Sequence, residues 1–212
     1  MDLNFLYVDE EIFVVEKPVG ALSEEGNEGE SLASALKEQN NGYVGVIHRL
    51  DRGVGGVMVY ARTKAAAARL SAAVQARTLK KTYLAIVHGI PTEPRARLTD
   101  LLYHDRARNK TFTVNRPRNG VKEAILDYEI VKSWDNAPLD NLSLLKIELQ
   151  TGRTHQIRVQ FSSRGLPLVG DGKYGARDKC EIRLFCHALT FPHPKTGKEM
   201  QFSLTPDWAK EP

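Results

Sequence analysis

The sequence lacks what a membrane-spanning or disulfide-built protein needs. Its longest uninterrupted apolar stretches, such as residues 57–61, are far shorter than the roughly 18 residues of a membrane span. Two cysteines, Cys180 and Cys186, are too few to frame a secreted scaffold. The five residues between them do not make the Cys-x-x-Cys spacing of a zinc site. They read as two partly buried thiols in a reducing compartment. The N-terminal MDLNFLYVDEEIF has no basic region leading into an apolar one, so no signal peptide is expected and a cytoplasmic location is. No two of the histidines stand at metal-ligand spacing with a carboxylate, so no metal is expected. Against these absences stand 212 residues, 42% apolar and 26% charged, which suit one globular domain with a real core and exclude a disordered or fibrous chain.

The net charge is only +4, but it is unevenly spread. Residues 1–48 carry ten acids and two bases, whereas residues 49–83 carry eight bases and a single acid, Asp51. Those bases are Arg49, Arg52, Arg62, Lys64, Arg69, Arg77, Lys80 and Lys81. Concentrated positive charge is the footprint of a polyanionic partner, or else a set of solvated helix faces.

Periodicity and turn residues sketch the elements. Residues 12–16 (IFVVE) read as a buried strand ended by Lys17-Pro18 and Gly20. Residues 23–30 read as a polar loop. Ser31 caps a helix through LASALKEQ, and Thr63 caps the alanine-rich KAAAARLSAAVQAR. Residues 57–61, 82–88, 185–191 and 200–204 read as strands. Residues 104–122 look like a hairpin or paired loops presenting charge. Residues 123–134 and 142–150 alternate as an antiparallel pair joined by a turn at 136–141. The expectation is one α+β domain with a mixed, largely antiparallel sheet.

Three constellations carry chemistry. In His48-Arg49-Leu50-Asp51-Arg52-Gly53 a carboxylate lies between two arginines, and flanking cations favour the charged form of a carboxylate. It reads as a nucleophile or base in a cationic pocket, or as a salt-bridged turn. In Thr151-Gly152-Arg153-Thr154-His155-Gln156-Ile157-Arg158, Thr154 is expected to open a short helix over 154–163. That helix would put Arg153 at a strand-to-helix corner facing an anion. The third, Gly170-Asp171-Gly172-Lys173-Tyr174-Gly175, lacks the order of a nucleotide P-loop, and a tight turn suits it better. No nucleotide cofactor is expected.

In this order the segments resemble the RluA-type family of pseudouridine synthases. The resemblance rests on HRLDRGVGGVMVYARTK at 48–64, KKTYLAIVHG at 80–89, LQTGRTHQIRVQF at 149–161 and LVGDGKYG at 168–175. FVVEKPVG at 13–20 and CHALTFPHPKTGK at 186–198 add weaker matches. It implies the pseudouridine synthase fold, a bent mixed sheet with flanking helices and a central cleft. It further implies isomerisation of uridine to pseudouridine in structured RNA, ribosomal or transfer, without metal or organic cofactor. The same resemblance makes Asp51 the catalytic aspartate, Arg153 its ion-pair partner and Tyr83 the ring that stacks on the target base. Arg49 would help displace that base. RNA contacts are expected from Arg49, Arg52, Lys80, Lys81, Arg106, Arg108, His155 and Lys173, on a chain expected to be a monomer.

Departures from the family pattern are Val54-Gly55 in place of the commoner Thr-Ser and Gln160 in place of His. The polar run ALSEEGNEGE after Gly20 is a third. None falls on the proposed catalytic positions; they bear on which RNA is accepted. The chain is read as a single catalytic domain, residues 1–212, without the small N-terminal RNA-binding module of many relatives. Two other classes stay open on the residues alone: a non-catalytic RNA-binding or ribosome-assembly protein, and a phosphate-ester hydrolase built on Asp51 and the GDGK loop.

Overall fold

Strands dominate the computed structural model, which describes residues 2–26, 31–134 and 141–210. In chain order the elements are β1 (Asn4–Val8), β2 (Ile12–Lys17), α1 (Leu32–Gln39), β3 (Gly45–Val46), β4 (Gly55–Ala61) and α2 (Lys64–Gln75). Then come β5 (Lys80–His88), β6 (Arg95–Asp105), β7 (Lys110–Val114), β8 (Val121–Trp134) and β9 (Leu142–Leu149). After these follow α3 (Gln156–Ser162), a 3-10 turn (Gly172–Tyr174), β10 (Leu184–Pro192) and β11 (Glu199–Ser203). The architecture is α+β with a mixed, largely antiparallel sheet, as expected. Two compact units divide the chain, residues 1–81 with 185–206 and residues 82–184 with 207–212.

The first unit is organised on β4, whose seven residues GGVMVYA are all buried. A strand buried on both faces reads as an unbroken apolar run, and its position explains why. It pairs antiparallel with β2 and parallel with β10, while β1 lies outside β2 and β11 outside β10. Backbones come closest at Gly56, where φ is +131° and an added Cβ would stand 2.4 Å from the Cys186 carbonyl oxygen. Only glycine fits that approach. The two predicted caps are present. Ser31 Oγ accepts from Ser34 N at 3.2 Å, and Thr63 Oγ1 accepts from Ala66 N at 3.0 Å. Leu32, Ala33 and Leu36 of α1, and Ala66, Leu70 and Ala73 of α2, form the helices' buried stripes.

The second unit is built on antiparallel strands ordered β5-β9-β8-β6-β7. The expected strand pair 123–134 and 142–150 is β8 with β9, bulged between Ile130 and Lys132. The turn expected at 136–141 lies, but for Asn141, outside the described residues, as do positions 27–30 of the expected 23–30 loop. The charged segment 104–122 is the tip of a longer hairpin, because β6 begins at Arg95 and pairs with β8 as well as β7. α3 packs Phe161 edge-to-face on Tyr128 at 5.4 Å and adds Val159 to a cluster with Leu102, Ala124 and Tyr174.

One local expectation is corrected. α3 starts at Gln156 rather than Thr154, and its N-cap is His155 in the left-handed conformation, φ +54°, with no side-chain cap. Thr154 is exposed, and its carbonyl is occupied by the side chain of Thr111 at 2.8 Å. A tertiary bond has taken over the corner that a local cap was expected to make.

Candidate active site

Asp51 sits half-buried in the loop between β3 and β4. The loop is not held by its own sequence alone. Ser23, buried, donates from Oγ to Leu50 O at 2.9 Å and accepts from Leu50 N at 3.0 Å. Tyr60 in turn donates its hydroxyl to Ser23 O at 2.7 Å. Val54 N closes the turn on Asp51 O at 2.9 Å.

Beneath the loop lies Lys17, completely buried. Its ammonium donates to Ala21 O at 2.7 Å, Pro18 O at 2.9 Å and Arg52 O at 3.3 Å. Three carbonyls match the three donors of an ammonium. Burial pushes its pKa down to about 8, and the Asp51 carboxylate works in the opposite direction. Sequence reasoning treated Lys17 as the end of a strand and missed it. The available signal was a lysine closing the apolar run of β2 and followed directly by proline.

The flanking residues diverge. Arg49 and Arg52 are exposed; Arg49 Nη1 reaches Glu24 Oε1 at 2.5 Å, and Arg52 Nε donates to Gly20 O at 3.0 Å. His48 is buried, accepts from Val59 N on Nε2 at 3.3 Å, and has its pKa pushed down to about 3, first by burial and then by the charge of Lys81. It is a neutral structural residue. At the start of β5, Lys80 is exposed but Lys81 is half-buried, its pKa lowered by desolvation with Cys186 opposing. Of that adjacent pair, Lys80 is the one offered to a polyanion. Cys180 is exposed and Cys186 buried.

The remaining proposed residues belong to the second unit. Tyr83, 5% exposed, lies in β5 opposite Ile147 of β9. Arg153 is exposed, its Nε donating to Glu123 O at 2.9 Å. Its backbone is gripped by buried Gln156, whose Oε1 accepts from Arg153 N at 3.0 Å and Thr151 Oγ1 at 2.8 Å. His155 is buried with Nδ1 2.9 Å from the Tyr174 hydroxyl. Arg106 and Arg108 stand exposed at the hairpin tip, and Lys173 reaches Asn109 O at 3.0 Å. The Gly170–Gly175 segment is a tight turn, as expected. Asp171 at its centre is buried and paired with Arg158 through two 2.7 Å bonds, a planar fork typical of arginine and carboxylate.

Among the described residues no three His, Cys, Asp or Glu side chains gather as a metal site, and no helix is long and apolar enough to cross a membrane.

Comparison with known proteins agrees with the motif order. Residues 11–163 match the family model described as RNA pseudouridylate synthase. The dual-specificity RNA pseudouridine synthase RluA of Escherichia coli is 36% identical over 218 residues, covering 97% of this chain and 94% of that protein. Ribosomal large subunit pseudouridine synthase D of Zymomonas mobilis is 32% identical, covering 94% of this chain and 68% of its own length. An uncharacterized RNA pseudouridine synthase of Aquifex aeolicus is 33% identical, covering 95% and 69%. The chain thus spans about two thirds of the length of several curated relatives. Human RNA pseudouridylate synthase domain containing 1 shares the fold, with a TM-score of 0.79 at 23% identity over 97% of this chain and 84% of that one. With its motifs, its fold and these matches taken together, the chain belongs to the RluA-type pseudouridine synthase family.

Proposed function

We propose that this chain isomerises uridines in structured RNA, ribosomal or transfer, with Asp51 as the nucleophile. The observation that carries the assignment is the anchorage of the Asp51 loop from below by a buried ammonium and a buried serine. A surface turn has no need of a desolvated lysine, and a group held at a fixed place beside a fixed charge is what an active site needs.

The reaction breaks the bond between N1 of uracil and C1′ of the ribose, turns the base over, and joins C5 to C1′. A proton leaves C5 and one is taken up at N1. Asp51 attacks the sugar or the uracil ring and holds the fragments while the base turns. The family resemblance is what assigns Arg153 as its ion-pair partner and Tyr83 as the ring that stacks on the flipped base. Flipping costs a few kcal/mol, and stacking on an aromatic ring returns about 1–3 kcal/mol. Arg49, Arg52, Lys80, Arg106, Arg108 and Lys173 bind phosphates.

Release of the C5 hydrogen from RNA labelled at that position tests the assignment. Asp51→Ala is expected to release none while binding RNA at least as tightly as the wild type, since a negative charge near phosphates is gone. Turnover by purified Asp51→Ala enzyme would remove Asp51 from the mechanism.

A further inference from the structure

Thr111 stands on β7, in the hairpin that carries Arg106 and Arg108, and is 1% exposed. Both of its donors are used outside the hairpin. Its N–H donates to the Tyr174 hydroxyl at 2.8 Å, and its Oγ1 donates to Thr154 O at 2.8 Å. His104 Nδ1, across the same hairpin, lies 3.1 Å from that Oγ1. Tyr174 is buried, and its hydroxyl is hydrogen-bonded to His155 Nδ1 at 2.9 Å. Thr154 and His155 are the two residues that follow Arg153. On the other side, Gln156 holds Arg153 N and Thr151 Oγ1, and donates from Nε2 to Ile125 O at 3.0 Å. His155 keeps a left-handed backbone, φ +54°, which costs free energy in a residue other than glycine and persists only where its surroundings over-determine it.

We propose that Thr111 is a positioning residue through which the basic β6–β7 hairpin sets the corner that carries Arg153. Phosphates that grip Arg106 and Arg108 then fix the hairpin, and through the two bonds of Thr111 the hairpin fixes Thr154 directly and His155 by way of Tyr174. The proposal rests on the reading of Arg153 as the partner of Asp51. It adds a consequence: RNA engaged at the hairpin raises the rate of the chemical step as well as affinity.

The test uses the whole protein and a structured RNA substrate at saturation, with the single-turnover rate, the RNA dissociation constant and the melting temperature measured in parallel. Thr111→Val keeps the shape and removes the Oγ1 donor; Thr111→Ser restores it. Thr111→Val is expected to lower the saturated rate about tenfold, an ordinary coupling energy, with RNA affinity unchanged within about threefold. Thr111→Ser is expected near the wild-type rate. Double charge reversal, Arg106→Glu with Arg108→Glu, is expected to lower both affinity and saturated rate in the wild type, but affinity alone in the Thr111→Val background. A wild-type saturated rate in Thr111→Val overturns the proposal. So does the same fold-loss of rate from charge reversal in both backgrounds. Should Thr111→Val fail to fold, Tyr174→Phe, which removes the acceptor of the Thr111 N–H, decides in the same way: slowed at saturation in support, wild-type in rate against. Arg153→Ala separates the two layers. Its full activity would overturn both the site and the coupling, whereas its inactivity beside a fully active Thr111→Val overturns the coupling alone.

Discussion

At the residue scale the proposed mechanism turns on two side chains of the first unit, Asp51 and the buried Lys17. Lys17 has a folded pKa of about 8 against an ordinary 10.5. A lysine lowered in this way burdens the fold while charged, and that burden is relieved as pH climbs from about 8 toward 10.5. Stability carried by Lys17 therefore does not fall on the alkaline side. What falls is the charge facing Asp51 and one of the three donors under its loop. The saturated rate is expected to drop above pH 8 with no matching fall in melting temperature, and Lys17→Met is expected to be slow at every pH and to lack that alkaline limb. A limb unchanged in Lys17→Met would place its origin in another group.

On the proposed reading, Tyr83 has two separable tasks, stacking and proton transfer. Tyr83→Phe keeps the ring and removes only the hydroxyl. It is expected to stall after the carbon–carbon bond forms, with a rate loss of about 10²–10⁴. Tyr83→Leu is expected to lose in addition about 1–3 kcal/mol of productive binding. Near wild-type turnover in both variants would make Tyr83 a core residue, consistent with its 5% exposure and nothing more.

At the scale of elements, the β6–β7 hairpin and the first residue of β5 present exposed cations. Lys80, Arg106 and Arg108 are open to solvent, whereas Lys81 is half-buried. Removing one cation that neutralises a phosphate should flatten the dependence of log affinity on log salt by about 0.7–0.9. Charge reversal at Lys80, Arg106 or Arg108 is expected to produce that flattening, and Asp51→Ala is not. Binding titrations between low and moderate salt measure it, and an affinity indifferent to salt would show that these cations face something other than RNA. Charge reversal at Lys81 belongs to a different experiment, because it would bury a carboxylate and act on folding.

At the scale of the whole molecule, acid stability follows from His48. Its folded pKa, about 3, lies below the ordinary 6.5, so the unfolded chain takes up a proton first. The contribution is complete above pH 6.5 and is lost as pH falls toward 3. Melting temperature is expected to decline over that interval, and His48→Gln, which has no such proton to gain, is expected to decline less. Equal slopes in the two proteins would assign the acid sensitivity to other groups.

Local signals in the sequence determined the helices capped by Ser31 and Thr63, the unbroken apolar run of β4, the alternating pair β8 and β9, and the motif order that marks the family. All but the motif order depend on residues within a few positions of one another, where caps, periodicity and turn chemistry act. Tertiary structure alone decided the rest. β1 and β3 are too short or too weakly patterned to announce themselves, and β6 is set by its pairing with β8, which places Arg95 opposite Glu129. Lys17 became a support for Asp51 because Arg52 and Ala21 carbonyls close over it, 35 and 4 positions away. Thr154 lost its expected capping role because Thr111, 43 positions earlier, had already taken its carbonyl. A linear sequence shows which residues can cap, alternate or charge a surface; which of them are desolvated, and against what partner, is settled only when distant segments are packed together and every buried polar group must find a match.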